Sequence, residues 1–125
     1  MPSKENLKVL IVDDSITVRE LLKKQMLDNG INNIQSVKSG MEACEIVPSY
    51  NPDIIFLDIN MPQMNGVETL SKIIEIKPDA YVIMLSSLGT KEKVNETLNR
   101  GAKTFLMKPI ENENLQRILS ELEKK

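Results

Sequence analysis

The feature that most constrains this chain is a series of five short apolar runs, near residues 8–13, 33–37, 53–58, 81–86 and 104–107, separated by segments of a different period. Four of the runs are nearly continuous rather than alternating, which is the pattern of parallel strands covered on both faces. The run around Ile34 and Val37 is weaker and suits an edge strand. Between and after the runs, apolar residues recur at helical spacing: Val18, Leu21, Leu22 and Met26; Leu70, Ile73 and Ile74; Val94 and Leu98; Leu115, Ile118, Leu119 and Leu122. Ser39-x-x-Glu42 and Asn65-x-x-Glu68 read as capping boxes, Gly30 and Gly101 as helix C-terminal glycines, and Pro48 and Pro78 as residues that follow helix ends. A strand-helix unit repeated five times predicts an α/β fold, an open doubly wound parallel sheet with helices on both faces.

In such a sheet, ligands sit outside the carboxyl ends of the strands. Asp13 and Asp14 follow the run Val9-Leu10-Ile11-Val12, and Asp58 ends the run Ile54-Ile55-Phe56-Leu57. Ser86 and Lys108 stand at the corresponding ends of the fourth and fifth strands. Two carboxylates about 4 Å apart repel by roughly 4 kcal/mol at an effective dielectric of 20, so three converging acids call for a positive charge among them, and a hard divalent cation is the candidate. Asp14 or Ser15 also suits the N-cap of the first helix. Asp58, at the end of a buried run, has no such structural use.

The chain has no histidine, which removes the commonest general base and every phosphohistidine carrier, and leaves the chemistry to carboxylates, a hydroxyl or a lysine. A formal net charge of −2, without a basic run, argues against direct nucleic acid binding. No apolar stretch is long enough to span a bilayer and MPSKEN is no secretory leader, so the expectation is a cytoplasmic protein with no membrane insertion. The single Cys44 cannot form an internal disulfide and reads as an inert, half-buried residue. At 125 residues one domain is expected, with its core over about 7–123.

The segments Val9-Leu10-Ile11-Val12-Asp13-Asp14-Ser15, Asp58-Ile59-Asn60-Met61-Pro62 with Gly66, Met84-Leu85-Ser86-Ser87 and Phe105-Leu106-Met107-Lys108-Pro109 together resemble the receiver domain of response regulators, the CheY-like superfamily. The resemblance runs from about Leu7 to Glu123. It implies the strand order 2-1-3-4-5 of the flavodoxin-like fold, for which this family is one of the standard examples. It implies Asp58 as phosphoacceptor, a carboxylate nucleophile that forms an aspartyl phosphate. It implies Mg²⁺ held by Asp14, Asp58 and the backbone carbonyl of Asn60, with Asp13 acting through a coordinated water. Lys108 becomes a point-charge clamp, joined to Pro109 by a cis peptide, and Ser86 a hydroxyl donor to a phosphoryl oxygen. Ser86 and Phe105 form the switch, which alters the face made by the helix near 91–99, the strand near 104–107 and the helix near 114–122.

Ser86 stands where many relatives carry threonine, Phe105 where others carry tyrosine, and Ser87 where alanine is commoner. Leu88 is an apolar residue at a place the family uses to tune loss of the phosphoryl group. Met61, Met64, Met84 and Met107 read as gap-fillers around the rim. A haloacid-dehalogenase phosphatase is a rival reading, but its second aspartate is replaced here by Asn60, an amide that cannot transfer protons. A flavodoxin-like FMN carrier is disfavoured because Asp13-Asp14 would repel its phosphate. A pseudo-receiver is disfavoured because all five rim residues are kept. The expected function is a monomeric, phosphorylatable switch with no metabolic substrate. It takes its phosphoryl group from a histidine kinase and acts on a protein target, in the manner of chemotaxis members of the family. The alternatives are a phosphorelay shuttle or a receiver cut from a longer regulator.

Overall fold

The computed structural model describes residues 2–87 and 89–123. Ten elements alternate: β1 (Lys8–Val12), α1 (Ile16–Asp28), β2 (Asn33–Val37), α2 (Gly40–Tyr50), β3 (Ile54–Asp58), α3 (Gly66–Ile76), β4 (Val82–Ser86), α4 (Lys91–Asn99), β5 (Thr104–Met107) and α5 (Asn112–Glu123). The strands form one parallel sheet in the order β2-β1-β3-β4-β5. Each crossover needs a helix, and the reversal of order after β1 places the first and last helices on one face and the others on the opposite face.

Successive strand residues point to opposite faces, so each continuous apolar run feeds two cores at once. Val9, Ile11, Ile54, Phe56, Ile83 and Leu85 pack with Leu22 and Met26 of α1 and with Leu115, Ile118, Leu119 and Leu122 of α5. Leu10, Val12, Ile55, Leu57, Val82 and Met84 pack with Ala43 and Val47 of α2, Leu70 and Ile73 of α3 and Val94 of α4. Every residue of β3 and β4 is buried. No helix among the described residues is long and apolar enough to cross a membrane.

The helix ends follow local chemistry. The side chains of Ser15, Ser39 and Asn65 accept the backbone N–H of Val18, Glu42 and Glu68 respectively, each satisfying a donor that the helix cannot. Gly30 and Gly101, just past α1 and α4, take φ of +86° and +120°, conformations that glycine adopts without a Cβ clash.

Three sequence expectations need correction. Pro48 does not follow α2 but lies inside it, and the helix continues to Tyr50 before Asn51 caps it in the left-handed conformation. In the last turn proline removes only one N–H donor, and Asn51 still bonds to the Val47 carbonyl, so the turn survives. Leu21 belongs to the apolar pattern of α1 but is exposed, because α1 buries only a narrow stripe centred on Leu22 and Met26. The run 104–107 is not covered on both faces: β5 is the second edge strand, and of its residues only Leu106 is buried.

Candidate phosphoryl and metal site

Because β1 and β3 are neighbours at the centre of the sheet, the chain segments leaving their C-terminal ends share one rim. Asp13 is fully buried there. Its Oδ1 accepts the Ser15 backbone N–H at 2.9 Å, and its carbonyl oxygen accepts Arg19 Nη1 at 2.6 Å. Its Oδ2 lies 2.8 Å from Lys108 Nζ, a charge contact outside hydrogen-bonding angles, and accepts no hydrogen bond among the described residues. Asp58, the last residue of β3, is 4 % exposed. Its Oδ1 accepts Lys108 Nζ at 3.2 Å and the Asn60 backbone N–H at 3.3 Å. Asp14 is exposed beside them, and one carboxylate oxygen from each of Asp13, Asp14 and Asp58 lies within 4.8 Å of the others.

Two backbone features hold this arrangement. Gly66 opens α3 with its N–H bonded to the Ile59 carbonyl at 2.8 Å, and a Cβ there would meet the Asp58 carbonyl oxygen at 2.3 Å and Ile59 Cα at 2.6 Å. Only glycine lets α3 come so close to the strand that carries Asp58. At the far side of the rim, the Lys108 N–H bonds to the Ser86 carbonyl at 2.7 Å and the Lys108-Pro109 peptide is cis, as the resemblance implied.

Burial, and then the charge of Asp13, push the Asp58 carboxyl up to about 6, against the opposing ion pair and hydrogen bond from Lys108 and the hydrogen bond from Asn60. Burial draws the Lys108 ammonium down, but its contacts with Asp13 and Asp58 outweigh this and leave it above the usual lysine value. Three converging carboxylates with one ammonium against two of them, Asp13 and Asp58, make a donor set that fits a hard divalent cation with oxygen ligands.

The other predicted residues lie nearby without joining this cluster. Ser86 is buried, and its hydroxyl faces β5, donating toward the Leu106 carbonyl at 3.4 Å and Met107 Sδ at 3.1 Å. Phe105 is 41 % exposed. It borders a largely apolar cleft of about 430 Å³ formed with Ser86, Thr90, Val94, Asn95 and Met107. Met61 and Met84 are buried in the core beneath α2, α3 and α4, whereas Met107 is 42 % exposed and lines this cleft. Cys44 is half-buried, and burial pushes its thiol up, away from the reactive thiolate. Leu88 lies outside the described residues.

Sequence reasoning missed Arg19, which ties the Asp13 carbonyl to α1, and Lys93, whose ammonium donates to Asn60 Oδ1 at 3.2 Å across the rim. A basic residue six positions after an aspartate on the next helix was the only signal for the first. For the second there was none, since 33 residues separate the partners.

The model of the response regulator receiver domain family matches residues 9–120. The chain is 38% identical over 118 residues to the chemotaxis protein CheY of Listeria monocytogenes, covering 94% of this chain and 97% of that one. It is 44% identical over 106 residues to a protein-glutamate methylesterase/protein-glutamine glutaminase of Archaeoglobus fulgidus, covering 82% of this chain but 30% of that protein. Among solved structures it resembles the CheX-CheY-BeF3-Mg complex from Borrelia burgdorferi, with a TM-score of 0.86, 40% identity and coverage of 94% of this chain and 90% of that chain. With the sheet order and the acid rim already in place, these matches lead to one conclusion: the chain belongs to the response regulator receiver domain family and is a phosphorylatable regulator of the two-component type.

Proposed function

We propose that Asp58 is the phosphoacceptor and that the chain works as a single receiver domain, over residues 1–125 with its core at about 7–123, passing a histidine kinase's signal to a protein target. The observation that carries this is the buried Asp58 carboxylate, held at its Oδ1 by Lys108 and the Asn60 N–H. No hydrogen bond among the described residues occupies Oδ2, so that oxygen is free to attack. With a value of about 6, the carboxyl is about nine-tenths ionised at pH 7 and therefore available as a nucleophile. Attack forms the bond between Asp58 and phosphorus, and the phosphorus–nitrogen bond of the phosphohistidine breaks with its electron pair returning to the imidazole.

Asp14, Asp58 and the backbone carbonyl of Asn60 would hold Mg²⁺, with Asp13 acting through a coordinated water. The ion would neutralise the carboxylates and the phosphoryl oxygens. Lys108 contributes the remaining fixed positive charge from its place between Asp13 and Asp58. The Ser86 hydroxyl, weakly engaged with β5 in this structure, turns to a phosphoryl oxygen, and Phe105 moves into the cleft beside it. A new hydrogen bond to a charged group contributes about 1.5–3 kcal/mol, enough to move a conformer of a few per cent to near parity or beyond.

The face of α4, β5 and α5 then presents the output. Its target is a protein rather than DNA, in keeping with the net charge of −2, and the regulator itself is monomeric, cytoplasmic and without a metabolic substrate. A chemotaxis role is supported by the near full-length likeness to the Listeria protein. The likeness to a segment of the Archaeoglobus methylesterase supports a second reading, in which such a receiver works within a longer regulator. Intact-mass spectrometry after incubation with acetyl phosphate and Mg²⁺ should show one added phosphoryl group on the native chain and none on Asp58→Asn or without the metal. Equal labelling of the two chains would overturn the assignment.

A further inference from the structure

We infer that Gly40, on α2 and outside the acid cluster, is a positioning residue for the metal: its missing side chain lets α2 seat the first turn of α3 and the loop that carries Asn60. The role rests on Asp14, Asp58 and the Asn60 carbonyl holding that metal. A Cβ at Gly40 would overlap Thr69 Oγ1 and stand 3.2 Å from both Thr69 Cβ and Met64 Sδ. Met64 belongs to the loop between β3 and α3, and Thr69 to the first turn of α3. Backbone conformation does not call for glycine here, because φ at Gly40 is not positive, and alanine favours a helix more than glycine does. Room for α3 is the remaining reason.

Neither helix can yield locally to an added methyl. Thr69 is fully buried, and its hydroxyl donates to the Asn65 carbonyl at 2.8 Å, the same oxygen that takes the Thr69 N–H at 3.0 Å. Turning the side chain would break the hydroxyl bond and still leave Thr69 Cβ 3.2 Å from the added atom. The start of α2 is held as firmly, since Ser39 Oγ accepts the Glu42 N–H at 3.2 Å and Glu42 Oε1 accepts the Lys38 N–H at 3.1 Å. Ala43, one turn on, is already buried against the sheet. The displacement therefore passes to the first turn of α3. The Gly66 N–H, bonded to the Ile59 carbonyl at 2.8 Å, carries it to the segment 58–60, where the Asn60 N–H bonds to Asp58 Oδ1 at 3.3 Å.

Gly40→Ala should weaken Mg²⁺ binding by roughly tenfold, as loss of the outer support of metal ligands does. Gly40→Ala/Thr69→Ala, which removes the overlapping hydroxyl, should recover most of that affinity, because the two changes meet at one contact. The experiment titrates Mg²⁺ alone and follows the amide signals of Asp14, Asp58 and Asn60 by NMR, with melting temperatures measured alongside. Thr69→Ile, which crowds the same contact from α3, should weaken Mg²⁺ binding in the same sense and takes the place of Gly40→Ala should that chain not fold. A lower melting temperature with unchanged Mg²⁺ affinity, or a loss of affinity that the double variant does not recover, overturns the role of Gly40 alone. A native chain whose Asp14, Asp58 and Asn60 amides do not respond to Mg²⁺ would instead overturn the metal site and this proposal with it.

Discussion

β3 and β5 sit two strands apart in one sheet and differ in almost every physical respect. β3 is flanked by strands on both sides and by helices on both faces, and all five of its residues are buried. β5 has a strand on one side only, buries Leu106, and leaves Phe105 and Met107 at 41 % and 42 % exposure beside an apolar cleft. The proposed nucleophile belongs to the first and the proposed switch to the second. Chemistry that depends on tenths of an ångström needs a strand that cannot move, whereas a readout needs side chains with a second place to go.

The largest expected effect tests the rigid side. Phe56→Ala should cost about 3–5 kcal/mol, because it opens a cavity in a core with no room to collapse. Thermal and urea unfolding would measure it, and a loss below about 1 kcal/mol would mean that β3 is not the fixed element described.

Next comes a substitution expected to remove the proposed phosphorylation site and yet to stabilise the fold. The folded Asp58 value of about 6 lies above its ordinary 3.8, so the folded chain favours the protonated form. This relative stability is complete below pH 3.8 and is lost as pH rises through about 6. Without metal, Asp58→Asn should therefore gain up to about 3 kcal/mol over the native chain at pH 7.5 and almost nothing at pH 4. Melting curves in a chelator at the two pH values check both the size and the sign.

Lys108→Met should act in the opposite direction, by about 2 kcal/mol at pH 7.5, since it leaves Asp13 and Asp58 without their cation. Mg²⁺ should restore much of the loss, read as a larger metal-induced rise in melting temperature than for the native chain.

The smallest effect belongs to the readout. Phe105→Ala should cost under about 1 kcal/mol because its ring is already half in solvent. In amide NMR with Mg²⁺, beryllofluoride should shift residues around Lys93, Phe105 and Leu115 in the native chain. In Phe105→Ala the shifts should stay near Asp58. Identical shift maps for the two chains would remove Phe105 from the switch.

Much of this was legible in the residues, for reasons that differ from place to place. The runs at β1, β3 and β4 were readable because strands covered on both faces need apolar side chains at every position. Asp13, Asp14 and Asp58 stood out because charge at the end of such a run demands a partner. Pro48 misled because its effect depends on how much helix remains after it, and the exposure of β5 was hidden because a short apolar run looks alike at an edge or at the centre.

The sequence by itself determined the alternation of strands and helices, the capped helix starts at Ser39 and Asn65, and the presence of five polar side chains at strand ends. Each of these depends on neighbours within a few residues. Only the tertiary structure decided that Lys108 lies between Asp13 and Asp58, that the Ser86 hydroxyl faces β5, and that Lys93 reaches Asn60. These partners are 20 to 95 residues apart in the chain, and no local pattern encodes distances that arise only when the strands are laid side by side in the order 2-1-3-4-5.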